Sequence, residues 1–177
     1  MSAIEPTEAQ RFPIGRFARQ DRYTDAERAE LIERLAAQPT HLAAALSGLT
    51  DTDYERPYRP GGWTVRQLAH HVADSHVNAY TRVKLTLTED SPTIKPYRQD
   101  AWAELADSAL SPLISLTLFT AVHERLVTLL RTVTDEQAER QLLHPETGPM
   151  TLGQLIALYA WHGDHHVAHI REVRETR

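Results

Sequence analysis

The chain of 177 residues has no cysteine, which excludes disulfides, thiolate zinc sites, iron–sulfur clusters and a cysteine nucleophile. Any transition metal must therefore be held by nitrogen and oxygen. Positive charge is not in excess. Lys and Arg number 19 against 24 Asp and Glu, a formal net charge of -5, so there is no basic footprint for nucleic acid or an anionic membrane. Long apolar runs are also missing, and none approaches the roughly 20 residues of a membrane span. The opening MSAIEPTEAQRFPIGRF lacks the basic start, apolar core and cleavage site of a secretion signal. No Gly-rich phosphate loop and no GxSxG elbow occurs, which leaves nucleotide hydrolysis and serine-hydrolase chemistry unsupported. The expectation is one domain over residues 1–177, with an irregular lead over 1–22, in the cytoplasm.

What is present is helical periodicity. From Thr24 to about Ala37, apolar residues recur at helical intervals behind a TDAE capping box, and Pro39 kinks this helix or begins a second piece to Leu49. TVRQ at Thr64 opens a second helix to about Thr88, Ser111 with Pro112 opens a third, and TLGQ at Thr151 opens a fourth. Almost no strand signal appears, so the chain reads as an all-α four-helix bundle with a long irregular connection between helices 2 and 3. An internal echo links Leu49–Leu68 to Val133–Leu155 through shared TD, ER, Pro, Gly and TxxQL elements, each leading into a histidine-bearing helix. Turn and cap residues also recur for local reasons.

The densest chemical feature is WHGDHHVAH, carrying His162, His165, His166 and His169. Positions 162 and 166 lie about 40° apart on one helix face, so two neutral imidazoles there can grip one ion. The competing reading is a polar helix end whose histidines complement the negative C-terminal dipole. Leu155, Tyr159, His162, His166 and His169 stay within about 80° of arc, with His165 about 60° off His162.

A catalytic site of the zinc type takes three protein ligands and keeps a position open. The third must come from another helix, and the second offers His70, His71 and His76. Measured from Leu68 in its apolar stripe, His71 falls about 60° to one side and can look inward, His76 about 80° to the other, and His70 roughly 160° away. A buried, hydrogen-bonded histidine is the competing reading of His71. Ser75, Asn78 and Arg82 share its edge, a polar strip suited to a cleft. Asp74 and Asp164 can accept the free N–H of a ligating ring or stand as solvated acids, and His169 is a supporting or substrate-facing group.

Three segments together resemble one family: GGWTVRQLAHHVADSH (Gly61 to His76), LTEDSPTIKPY (Leu87 to Tyr97) with AWAEL (Ala101 to Leu105), and YAWHGDHHVAHI (Tyr159 to Ile170). They look like the YfiT branch of the DinB-like metalloenzymes, over nearly the whole chain. The resemblance implies a four-helix bundle, commonly a homodimer, with one divalent ion per subunit, zinc or nickel, on three histidines. Carried over, these are His71, the second of the HH pair, His162 after Trp161, and His166 four residues on. A Ser-His pair common between the last two ligands is here Gly163 and Asp164.

Three neutral imidazoles leave a divalent ion its charge, so a coordinated water becomes acidic near neutral pH, and a metal-dependent hydrolase of a small molecule is expected. Relatives of this branch instead transfer low-molecular-weight thiols such as bacillithiol, for which the ion would hold a thiolate. A non-catalytic metal-binding bundle is the third reading, and it requires a closed coordination shell. The connection from Glu89 to Leu110 carries Lys95, Tyr97, Arg98 and Trp102, either substrate contacts or anchors for the loop. Trp63 and Trp161 read as packing anchors.

Overall fold

The computed structural model describes residues 5–176. In chain order its elements are α1 (Glu8–Arg11), α2 (Asp25–Leu46), α3 (Asp51–Tyr54), α4 (Val65–Thr88), α5 (Gln99–Ala103), a 3-10 turn at Ala106–Ala109, α6 (Pro112–Leu130), α7 (Asp135–Ala138), a hairpin of β1 (Gln141–His144) and β2 (Gly148–Thr151), and α8 (Leu152–Glu175). The long helices α2, α4, α6 and α8 form the bundle.

Their starts follow local chemistry. Thr24, Thr64 and Thr151 each accept from the backbone N–H three residues on, while Glu27, Gln67 and Gln154 bond back to the cap. Ser111 caps α6, where Pro112 occupies a position that needs no N–H.

The echo between the two halves extends to architecture. In each half a one-turn helix, α3 or α7, is capped by the threonine of a TD pair. In each an arginine carbonyl then accepts from the first N–H of the long helix: Val65 to Arg56 at 3.0 Å, and Leu152 to Arg140 at 2.9 Å. Where the second half has the antiparallel β1–β2 ladder, the first has a single bridge between Pro57 and Thr64.

Side by side, the helices run α2, α8, α4, α6 and back to α2, so the two echoed helices, α4 and α8, are neighbours. Two apolar clusters fill the bundle. One contains Ile32, Leu35, Val83, Leu126, Leu130, Leu155 and Ile156; the other contains Leu42, Leu46, Leu68, Val72, Phe119, Val167 and Ile170. In sequence, Gln38, His76 and His123 fall between the two sets on α2, α4 and α6, as His162 does on α8. Gln38 and His76 are wholly buried and His123 nearly so. A polar stratum thus crosses the bundle between two dry layers.

Several expectations are corrected. α2 passes through Pro39 without restarting and ends at Leu46. A hairpin exists, because Gly148 supplies the left-handed turn (φ 81), while its strands are too short to display alternation. The lead, expected to be irregular, contains α1; Met1 to Ile4 lie outside the described residues. The connection after α4 contains α5 and the 3-10 turn, and it joins the hairpin through Ile94 N–H to the Leu143 carbonyl at 3.0 Å. Finally, α6 has 19 residues and a hydropathy of 1.5, long and apolar enough by composition to cross a membrane. The polar His123, Glu124 and Arg125 interrupt any apolar run, yet the mean stays high. Its buried face packs in the bundle, and Leu113, Ile114 and Leu118 are exposed.

Candidate metal centre

α4 carries His71 and α8 carries His162 and His166, and the contact between these helices brings the three rings together. One nitrogen from each lies within 4.8 Å of the others. Ring centroids are 5.4 Å apart for His71 and His162, 5.1 Å for His71 and His166, and 4.5 Å for His162 and His166. Burial pushes the His71 imidazole down to about 4. Burial first, then the neighbouring histidines, pushes His162 and His166 well below the usual imidazole range. At neutral pH all three offer lone pairs instead of charges.

A proton path decides which nitrogen of His162 faces the cluster. Pro39 has no N–H to give the Leu35 carbonyl four residues earlier, and that carbonyl instead accepts from Nδ1 of His123 at 2.8 Å. A carbonyl can only accept, so the direction of the file is set here. Neutral His123, pushed down to about 4 by burial, has its lone pair on Nε2 and accepts from Nδ1 of His76 at 2.9 Å. His76 in turn presents Nε2 to Nδ1 of His162 at 3.4 Å. The His162 proton therefore sits on Nδ1, and its Nε2 lone pair points at Nε2 of His71, 3.3 Å away.

That separation fits a shared ion. Two nitrogens each about 2.0–2.1 Å from a tetrahedral zinc ion stand roughly 3.3 Å apart. The same two atoms also form a hydrogen bond when neutral His71 carries its proton on Nε2, so the convergence of a third ring, His166, is what distinguishes a shared ion from a simple pair.

His165, His166 and His169 form a second close set, also within 4.8 Å. His165 stacks on Trp161 at 4.5 Å, His169 lies 4.3 Å from Tyr58, and Nε2 of His169 donates to the Gln10 carbonyl at 3.0 Å. Tyr58 and Trp161 flank that set, and His165 and His166 also line the smaller of the two cavities beside the first set. The first set opens on two cavities that share Gln99, Asp100 and His162. One of about 330 Å³ is lined by His71, His162, His166 and Trp63. The other, of about 520 Å³, is lined by His162, Tyr159, Ser75, Arg82 and Tyr97.

The supporting roles expected from the sequence change. Asp164 pairs with Arg34 at 2.8 Å and accepts from the Gln38 amide at 3.1 Å, so it braces α8 on α2 instead of a triad ring. Asp74 is half-buried beside Asp107 and His70; burial, then Asp107, pushes its carboxyl up. No hydrogen bond joins Asp74 or Asp164 to a triad ring among the described residues. His169 engages the N-terminal lead. His70, on the face opposite the apolar stripe, is buried because α6 covers that side of α4: its Nδ1 lies 2.6 Å from Ser115 Oγ and its Nε2 3.0 Å from the Leu110 carbonyl. Asn78 bonds to the Asp74 carbonyl of its own helix. Trp63 packs 4.7 Å from His71, as an anchor. Sequence reading missed His123 altogether; a lone histidine among apolar residues four and three positions away, Phe119 and Leu126, was its only signal.

Residues 34–170 match the family model described as the DinB superfamily, and the chain belongs to that superfamily. A protein of Bacillus cereus strain B4264 named "Putative metal-dependent hydrolase" is 46% identical over 165 residues, 93% of this chain and 95% of its own length. One of Bacillus mycoides strain KBAB4 with the same name is also 46% identical, with the same coverage. The solved structure of YfiT from Bacillus subtilis, described as "a probable metal-dependent hydrolase with an unusual four-helix bundle topology", matches with a TM-score of 0.92 at 43% identity, covering 95% of this chain and 97% of that one. The four-helix bundle protein TT2238 matches with a TM-score of 0.56 at 20% identity, over 85% of this chain and 99% of that one, a likeness of fold.

Proposed function

We propose that this chain is a metal-dependent hydrolase of a small molecule, with one divalent ion per subunit, zinc or nickel, held by His71, His162 and His166. The observation that carries the reading is the pair of facing Nε2 atoms on His71 and His162, 3.3 Å apart, in a cluster that opens on two cavities. An ion bound there supplies Lewis acidity and makes water acidic enough to act as a nucleophile near neutral pH. The chain's own part is to keep three imidazoles neutral by burial and to hold the His162 proton on Nδ1 through His76 and His123. Trp63 and Trp161 wall the smaller of the two cavities on which the cluster opens. That opening favours a reactive site over a purely structural one, since structural zinc sites are closed.

The test is metal content of the untagged chain and of His71→Ala, His162→Ala and His166→Ala, followed by a panel of ester, amide and phosphoester substrates. One ion per chain, lost in each variant together with hydrolysis, supports the reading. Turnover that requires an added low-molecular-weight thiol would replace hydrolysis by thiol transfer at the same site.

A further inference from the structure

Arg82 is a buried cation without an anion. Only 9% of it is exposed, and no carboxylate among the described residues forms an ion pair with it. Its partners are neutral: Nη1 donates to Tyr159 Oη at 2.8 Å, and Nη2 reaches the Lys95 carbonyl at 3.4 Å. The contrast within the chain is direct. Arg28, comparably buried, is paired with Asp25 and Asp135. A guanidinium has five N–H donors, and neutral oxygens do not cancel its charge.

Arg82 lines the larger cavity, the one that His162 also lines. Tyr159, which holds Arg82, has its ring 6.0 Å from that of His162. One small molecule can therefore reach the guanidinium and the histidine cluster at once. Ser75, Tyr97 and Tyr159 bring hydroxyl groups to the same wall, and His144, its pKa lowered by burial and then by Arg82, stands there as a neutral ring. Burial pushes the Tyr97 phenol up to about 12, so it remains a neutral donor.

The rim separates the classes of anion. Arg98, Asp100 and Glu146 border the cavity and are exposed, one positive charge against two negative. A phosphate dianion would meet one buried cation and a net acidic entrance. A carboxylate matches the single guanidinium in charge and in its planar, two-pronged geometry.

We propose that this cavity is the substrate subsite for a carboxylate-bearing small molecule, its carboxylate seated on Arg82 and its reacting group presented to His71, His162 and His166. The inference rests on the reading of that cluster as a reactive metal site and adds the substrate class.

The test is a titration of the full 15N-labelled chain, zinc-loaded and zinc-free, with butanoate, butanamide and inorganic phosphate, followed at the Arg82 Nε–H resonance. Butanoate is expected to move that resonance saturably in both forms, with butanamide about tenfold or more weaker, the worth of a charge-assisted hydrogen bond. Arg82→Met should abolish the response, and Arg82→Lys should retain part of the affinity. Equal binding of acid and amide overturns the proposal. So does phosphate binding tighter than butanoate, or butanoate binding that needs zinc and survives in Arg82→Met, because the carboxylate then sits on the ion. If Arg82→Met does not fold, the acid and amide comparison on the unaltered chain decides alone. Zinc binding with no preference for the acid sinks this inference only; preference for the acid in a chain that binds no zinc sinks the metal reading only.

Discussion

The main-chain carbonyl of Leu35 accepts a hydrogen bond from Nδ1 of His123 at 2.8 Å, and it is free to do so because Pro39, four residues on, has no N–H. A proline that looks like a defect in α2 thus anchors a file of hydrogen bonds running through His123 and His76 to His162. Partners of this kind fix the ring orientation and the tautomer of a metal ligand.

Removal of either intermediate ring should weaken the centre without touching a ligand. His76→Ala and His123→Ala are expected to lower zinc affinity by about 10–100-fold, read by competition with a chromophoric chelator. Pro39→Ala restores an N–H that competes for the Leu35 carbonyl, and it should weaken zinc by less than His123→Ala does. Unchanged affinity in both histidine variants would show that the file only fills space.

Zinc should stabilise the folded chain. With free zinc at about 1,000 times its dissociation constant, the gain is about 4 kcal/mol, provided the unfolded chain binds little. Thermal melts should show it for the unaltered chain and not for His166→Ala. Equal shifts in both would place the metal elsewhere.

His123 makes stability depend on pH. Its imidazole is pushed from the ordinary value of 6.5 down to about 4 in the folded state, so between those values the unfolded chain binds the extra proton. Stability is fully present above about pH 6.5 and falls as pH drops toward 4. The cost is about 3 kcal/mol at its limit, from 1.36 kcal/mol for each pKa unit. Urea denaturation from pH 7 to 4 should show a steeper loss for the unaltered chain than for His123→Gln; parallel curves would refute the assignment.

Gly163 should resist substitution. A Cβ there would overlap the Gln38 amide, and Gln38 is wholly buried, donating to the Ala160 carbonyl at 2.8 Å. The gain in helix propensity, about 1 kcal/mol, offsets only part of the overlap, so Gly163→Ala is expected to destabilise by about 1–2 kcal/mol. Gln38→Ala in the same chain should relieve the overlap. A neutral Gly163→Ala, measured by chemical denaturation, would mean that the amide moves freely.

Much of this architecture could be read along the chain. The threonine caps at 24, 64 and 151 and the Ser111–Pro112 start are decided within four residues, which is the range of a capping box. The helical wheel separated His71 from His70, since a rotation of about 100° per residue sends adjacent side chains to different faces. It put His70 on the face opposite the apolar stripe, and that face is buried as well, because a wheel shows direction and not what covers it. The roles of Asp74 and Asp164 were unreadable for the same reason: Asp164 is taken up by Arg34 and Gln38, and Asp74 lies beside Asp107 and His70.

From the amino-acid order alone came the four long helices, the histidine-bearing faces and the exclusion of thiolate ligands, all properties of residues within a turn or two of one another. Only the packed bundle decided that His123 stands in a hydrogen-bonded file with His76 and His162, that Arg82 pairs with no carboxylate among the described residues, and that the triad opens on two cavities. These relations join residues far apart in sequence, 88 positions in the case of Leu35 and His123. Periodicity says which way a side chain leaves its helix. Whether it meets a carbonyl, another ring or an empty space depends on which helices stand beside it.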